Sequence, residues 1–598
     1  MRQRSCSSRL VVFLVAFATI FPAPLPSQTA VPTESAPRVF KTNARIVVLD
    51  VVVTAKNHRP VLGLHKEDFL LSENGKPQTI TYFEEHTGAE PQPAKLPDLP
   101  PNVFTNIPQV KPSDALTILL LDSLNTPLTD QGRVRAQVIK YLKKPQPGQR
   151  MAIFTLGSKL RMVQGFTDDP ALLAAAVNSK KNGTQASPLL QTAPEKGADQ
   201  EIVSALAEQS AQLAAAMQQF LASQSSVRND IRVKLTLEGF QQLAHFLAGI
   251  PGRKNVVWFS GAFPVAIFPN PDLPDSFGVQ TDNQQQVKRT DALLASAQVA
   301  LYPVAAEGVA TDSIYSAGAE TRLATKTQLA RPQMEAQERN ADHATMDVIA
   351  KETGGAAIYN TNGLSNAIDR ATEHGSYFYT LTYTTTNVAS DGQFRKIAVK
   401  LANGHSDLLA YRQGYYADDA KTVQATAAPI RKVSGDKLSP YLLPGRMAST
   451  EVPLTLHIAR GAAPARVSTT TSSQGGDNPN LKGPLTRYSV DFMVPARGLQ
   501  FDPDANGNHH VSLEAALVVY SRKGEPINWM LRQVNLNLDP ARYKAAQTTG
   551  INLFFEIDAP AEAATLRSGV YDLNANLAGT LELPLSTIVN ANATASAK

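Results

Sequence analysis

Cysteine is nearly absent, with Cys6 the only one in 598 residues. It lies ahead of the first apolar run, so the rest of the chain can hold neither an internal disulfide nor a thiol nucleophile. Tryptophan is scarce too, at two residues, and charge is thin, at 18% Asp, Glu, Lys and Arg. That charge is too low for a wholly disordered chain, and 43% hydrophobic residues supply material for packed cores. The formal excess of +5 contains no block of Lys/Arg interleaved with aromatics, which argues against nucleic acid as a partner. Catalytic signatures are missing as well: there is no His-Glu-x-x-His pair, no Gly-x-Ser-x-Gly elbow and no phosphate-cradling Gly-x-x-x-x-Gly-Lys-Ser/Thr. The adjacent pair His509-His510 points to opposite faces if it lies on a strand, so it does not chelate jointly.

What is present begins with Arg2, Arg4 and Arg9, followed by the apolar run Leu10 to Phe21 and a Pro/Ser/Ala-rich stretch. This order reads as a secretory signal over residues 1–30, with Ala23, Ser27 or Ala30 at the cut. The run falls short of the ~20 apolar residues that cross a bilayer, and no later segment reaches that length. The expected location is secreted, periplasmic or cell envelope, with no membrane span after signal removal. At this length three or four compact units are expected.

Residues 40–86 read as a small β unit: Ile46 to Val53 is a β-branched strand, and the Asn74-Gly75 turn leads toward Ile80 to Phe83 as in a hairpin. Residues 87–113 are Pro-rich and read as a linker. Residues 114–386 change texture. The continuous apolar run Leu116 to Leu121 suits a strand covered on both faces, and helical patterns alternate with further candidate strands at Met151 to Leu156, Leu160 to Gln164, Val256 to Ser260, Val299 to Val304 and Ala356 to Tyr359. Such alternation implies a doubly wound, mostly parallel α/β sheet. An Ala/Gln/Ser-rich helical insertion, 178–229, interrupts it, either as a lid or partner surface or as a decoration. Residues 387–417 look like an antiparallel β extension and 418–450 like a second linker. Strand signals throughout 451–589 predict a C-terminal β-sandwich, and 590–598 a disordered tail.

Leu119-Leu120-Leu121-Asp122-Ser123-Leu124-Asn125-Thr126 resembles the first strand and metal-site loop of von Willebrand factor type A domains, where the loop reads Asp-x-Ser-x-Ser. Glu73-Asn74-Gly75-Lys76-Pro77, the run Gly252 to Gly261, and Gly392 to Lys396 with Gly414-Tyr415-Tyr416 resemble the exported bacterial von Willebrand factor type A-related proteins seen especially in acidobacteria. The resemblance covers roughly residues 40–416. It implies a divalent cation above the carboxyl ends of the strands, completed by an acidic group of a protein partner. Asp122 matches the first ligand, Thr126 the second hydroxyl, and Thr184 the threonine of a more distant loop. Leu124 replaces a serine, and Gly261-Ala262 stands where a distal aspartate is expected, so the site reads as degenerate and Mg²⁺ or another divalent cation as weakly held at most. Asp122 and Thr126 also suit a simple helix-capping role.

A second loop, Asp502-Pro503-Asp504-Ala505-Asn506-Gly507, fits the first half of a calcium loop, but Leu513 occupies the place of the bidentate acid. A polar hairpin loop is the competing reading of Asp502, Asp504 and Asn506. The sequence therefore predicts an exported, non-enzymatic binding or scaffolding protein that recognises a protein partner, with no cofactor assigned. Catalytic residues can be dispersed, so an envelope hydrolase remains the alternative, beside a purely structural surface protein.

Overall fold

The computed structural model describes residues 46–589, except 57–58, 88–98, 108–115, 144–149, 180–182, 192, 251, 263–282, 310–325, 388, 390, 403–407, 418–435 and 463–474. The expected signal, the tail and most of the expected second linker lie outside the described residues. What is described is a mixed α/β chain with one parallel-containing sheet and four antiparallel ones.

The parallel-containing sheet has the order 299–305, 254–260, 116–122, 150–156, 160–167; the first four strands run parallel and the last is antiparallel to its neighbour. Every residue of Leu116–Asp122, Lys254–Ser260 and Val299–Ala305 is buried, because helices cover both faces. The helices are α1 (Leu128–Leu142), α2 (Pro170–Asn178), α3 (Ala193–Gln209), α4 (Ala211–Leu247), α5 (Gln284–Ser296), α6 (Lys326–Thr353) and α7 (Leu364–Ser376). Side chains alternate across a strand. Leu119, Leu121, Val257 and Phe259 accordingly pack with Val134 and Val138 of α1, Leu173 of α2 and Ile368 of α7. On the opposite face Ile118, Leu120, Val256 and Trp258 pack with Phe240 and Leu243 of α4, Leu294 of α5 and Met346 of α6.

Helix α4 runs from inside the expected 178–229 insertion into the α/β region that follows it. Its 37 residues hold no proline and one glycine, and Ser210 caps its start by accepting the Leu213 N–H. Gly239 lies against the sheet, where a Cβ would fall 2.7 Å from Leu156 Cδ1. The part before Arg232 leaves Leu213, Phe220, Val227 and Ile231 exposed.

The expected 40–86 unit and the expected 387–417 extension are one body. Ile46–Thr54 pairs with Tyr377–Thr384 and Leu408–Ala410, while Phe69–Glu73 pairs with Phe394–Leu401. The expected hairpin is corrected accordingly. After the turn at Asn74 (φ 48°) and Gly75 (φ 79°) only Lys76–Pro77 pairs back, and Ile80–Thr87 crosses to the other sheet beside Tyr377–Thr384. Between the two sheets Glu73 is buried and accepts hydrogen bonds from Tyr383 Oη (2.8 Å), Thr385 Oγ1 (2.7 Å) and Tyr415 Oη (2.9 Å).

The C-terminal strands form two sheets over one core that includes Leu456, Phe492, Leu513, Leu517 and Val570. Part of each expected linker belongs to them. Val103–Thr105 is a strand paired to Thr455–Ala462, because Phe104 finds apolar cover there. Within 436–450, Leu438 and Leu442 are buried, and the fully buried Arg567 donates to the carbonyls of Tyr441, Arg446 and Met447 and to Glu582.

Candidate functional site

Strand order reverses at Leu116–Asp122. The chain passes through α1 to Met151 on one side, and Lys254–Ser260 lies on the other. Asp122 and Ser260 therefore border the crevice at the carboxyl ends of an open α/β sheet, where ligands of this class of architecture bind.

Asp122 is 3% exposed. Its Oδ1 accepts the Asn125 backbone N–H at 2.9 Å, and its Oδ2 accepts Asn125 Nδ2 at 2.8 Å and Trp258 Nε1 at 3.0 Å. Ser260 Oγ lies 2.9 Å from the same Oδ2 and 2.8 Å from the Ala262 carbonyl, so its proton is shared between them. Burial raises the carboxyl above its ordinary range, opposed by the hydrogen bonds from Asn125, Ser260 and Trp258. Behind it, Asn125 Nδ2 also reaches Thr236 Oγ1, and Asn125 Oδ1 accepts from Arg232 Nε at 3.0 Å, both on α4. Burial lowers the Arg232 guanidinium, and Asp122 with Asp342 opposes that.

Thr126 is buried, and its Oγ1 accepts the Gly261 N–H at 2.9 Å. A Cβ on Gly261 would meet Pro127 Cδ at 2.8 Å, which is why this loop crossing carries glycine. Thr184 is exposed in a loop held to the same place by Gln131, whose Nε2 donates to the carbonyls of Thr126 (2.7 Å) and Gln185 (2.9 Å) and whose Oε1 accepts Gln185 N–H (3.0 Å). Asp122, Thr126 and the Thr184 loop are thus brought together as neighbours.

This donor set does not fit a divalent cation. Three protein donors crowd Asp122 Oδ2 and a fourth takes one of the two lone-pair sites of Oδ1. Thr126 Oγ1 is turned to Gly261, Leu124 is buried without an oxygen to offer, and no carboxylate follows Ser260 through Ala262. Among the described residues no group of three or more His, Cys, Asp or Glu is placed to hold a metal ion.

A cleft of about 180 Å³ opens beside Asp122. Ser123, Thr126 and Gln131 line it from the loop and α1, Gly157 and Ser158 from the turn after Arg150–Leu156, and Gly183 and Gln185 from the loop of Thr184. Among the described residues its charged lining other than Asp122 is cationic: Arg135, Lys159 and Arg161.

Asp502, Asp504 and Asn506 sit in a hairpin of the C-terminal sandwich, where Asp502 pairs with His510 across the strands. Asp504 Oδ1 accepts the N–H groups of Asn506 and Asn508; its Oδ2 accepts Asn508 Nδ2 and faces His510 Nε2 at 3.1 Å. These contacts, His510 foremost, hold the Asp504 carboxyl down at about 2. Asp502 Oδ2 accepts Asn574 Nδ2. The histidine pair is divided, His509 stacking on Tyr543 with ring centroids 3.7 Å apart.

Sequence reasoning missed Asn125, Trp258, Ser260, Gln131 and Arg232. One signal was available: Trp258 and Ser260 are two apart on one strand and so share a face at its carboxyl end. Arg232 carries no such mark, being one cation among many until α4 folds under Asn125.

No protein-family model and no curated protein sequence matches the chain. Among solved structures it is similar to an aerotolerance-related membrane protein from Bacteroides fragilis, at 12% identity and TM-score 0.21 over 43% of this chain and 98% of that one. It is similar to BatB from Bacteroides thetaiotaomicron at 11% identity and TM-score 0.21, over 44% and 98%. The mussel byssus proximal thread matrix protein 1, with a zinc-occupied MIDAS motif, matches at 10% identity and TM-score 0.21, over 45% and 48%. Likeness at this level carries no argument about what the chain does.

Proposed function

We propose that the chain is an exported, non-enzymatic recognition protein of the von Willebrand factor type A-related kind, which engages a protein partner at the loops around Asp122 and Gly261 without a metal ion. The observation that carries this reading is the use of every side-chain oxygen of Asp122 and Thr126 inside the protein, beside a cleft that stays open. The oxygens are spent on fixing loop shape, which is what a protein-binding surface requires of them. Among the described residues no helix is long and apolar enough to cross a membrane.

Two measurements test it. Calorimetry with Mg²⁺, Mn²⁺ and Ca²⁺ on the wild type, Asp122→Ala and Asp502→Ala is expected to give no binding heat in any of them. Heat lost only in Asp122→Ala overturns the metal-free reading, and heat lost only in Asp502→Ala moves metal chemistry to the C-terminal sandwich. A photo-crosslinking side chain at Ser158, beside the cleft, is expected to trap a partner from the native envelope. One at Lys143, at the far end of α1, is expected to trap none. Equal trapping at both positions overturns the assignment to these loops.

A further inference from the structure

Three cationic side chains from two elements converge on the cleft: Arg135 from α1, and Lys159 and Arg161 from the hairpin that follows Arg150–Leu156. Lys159 and Arg161 are exposed at its rim, and Arg135, half-buried, is held by a hydrogen bond from its Nη2 to the Val177 carbonyl. Among the described residues the single acid in the lining, Asp122, is buried with its acceptors turned to Asn125, Trp258 and Ser260. The cleft therefore presents positive charge over a floor of hydroxyl and amide groups. A concave, partly desolvated wall focuses such a field.

Resting on the recognition reading above, we propose that this cleft takes carboxylate side chains of an acidic protein segment directly, with Arg135, Lys159 and Arg161 supplying the positive charge. Size and chemistry agree on that class of ligand. At about 180 Å³ the cleft is below the roughly 300–1,000 Å³ of small-molecule sites, so it accepts a side chain rather than a cofactor. Guanidinium groups match a carboxylate with two parallel N–H donors, and the lysine adds a mobile point charge. The buried Asp122 keeps the floor rigid without competing for the cations, since its nearest partners are neutral donors.

The test uses the mature chain, a fluorescein-labelled hexaglutamate peptide and its hexaglutamine counterpart, read by fluorescence anisotropy. The glutamate peptide is expected to bind and the glutamine peptide not. Binding should survive EDTA and weaken as salt shortens the screening length from ~30 to ~8 Å between about 0.01 and 0.15 M. The double variant Lys159→Glu/Arg161→Glu changes two exposed side chains. It should keep the wild-type melting temperature and bind at least about tenfold more weakly. Equal binding of both peptides, loss of binding in EDTA, or unchanged affinity in the double variant overturns the proposal. If trapping at position 158 persists beside such a result, recognition stands and only its anion chemistry falls. Peptide binding that behaves as expected with no trapping at 158 sinks the recognition reading and leaves the anion cleft.

Discussion

Lys254 begins the strand beside Asp122's own and is 1% exposed, its ammonium bonded to the Ile250 carbonyl at 2.6 Å. Burial pushes it down to about 7, partly offset by Asp50. A depressed lysine contributes stability that is present in full above the unfolded value of ~10.4 and is lost as pH falls to about 7. Urea unfolding across pH 7 to 10 should therefore show stability rising with pH. Lys254→Met should flatten that slope; an unchanged slope would show that Lys254 is not its source. Asp122→Ala is expected to cost about 3 kcal/mol because Trp258 Nε1 and Asn125 Nδ2 lose their shared acceptor. The same variant should shift Trp258 emission, and a melting temperature equal to wild type would refute the structural role given to this acid. At this scale Asp122 was legible as a site residue only through the resemblance of Leu119 to Thr126 to a type A metal-site loop. What its oxygens do was not, since Trp258 and Ser260 lie more than a hundred residues away.

Among the elements, α4 does the most joining. Its middle turn underlies the Asp122 loop through Thr236 and Arg232, and its carboxyl end is closed from the C-terminal part of the chain. Thr450 Oγ1 accepts the Gly249 N–H at 2.7 Å and donates to the Phe246 carbonyl at 2.8 Å, while His245 Nδ1 lies 2.8 Å from Glu451. The Phe246 carbonyl is among those a helix end leaves unpaired, as is the His245 carbonyl, which accepts the Thr450 N–H at 3.0 Å. Thr450→Val keeps the shape and removes both hydrogen bonds, at an expected cost of about 2 kcal/mol in thermal or urea melts. Gly249→Ala should cost at least as much, since its Cβ would fall 2.2 Å from the Thr450 carbonyl oxygen. Stability unchanged in both variants would mean that α4 does not depend on this closure. The sequence predicted helix in both halves of α4 from composition and periodicity. It did not predict one continuous helix, because continuity here rests on packing against Leu156 and Leu160, which turns the tolerated Gly239 into a contact.

Across the whole molecule, the described parts are stitched by segments distant in sequence. Val103–Thr105 completes a C-terminal sheet, and the 436–450 segment lies between α4 and Arg567. The described residues, 46–589, fall in one compact unit. Cooperative unfolding is the expected consequence, and the two tryptophans allow it to be measured. In a Trp529→Phe background, Trp258 reports only on the parallel-containing sheet. Arg567→Ala, which leaves Glu582 without its buried partner, should cost about 3 kcal/mol and move the Trp258 transition by the same amount as the far-ultraviolet circular dichroism. A Trp258 midpoint that stays put while the dichroism shifts would mean that the C-terminal sandwich unfolds alone.

By itself the sequence determined the alternation of buried strands and helices from Leu116 to Val304 and the strand-rich C-terminal region, while the strand expected at Ala356 to Tyr359 is only an isolated bridge of Ile358 to Val304. These are local properties: a strand covered on both faces must be apolar throughout, and a helix must repeat its apolar positions every three or four residues. Tertiary structure alone decided that residues 46–87 and 377–416 are one sandwich, that Val103–Thr105 is a strand, and that Asp122 and Thr126 turn their oxygens inward. It also brought Arg135, Lys159 and Arg161 to one cleft. Each of these depends on which distant group arrives as a partner. Strand pairing and hydrogen-bond satisfaction follow from chain topology, and the residues so joined carry no periodic mark of their own.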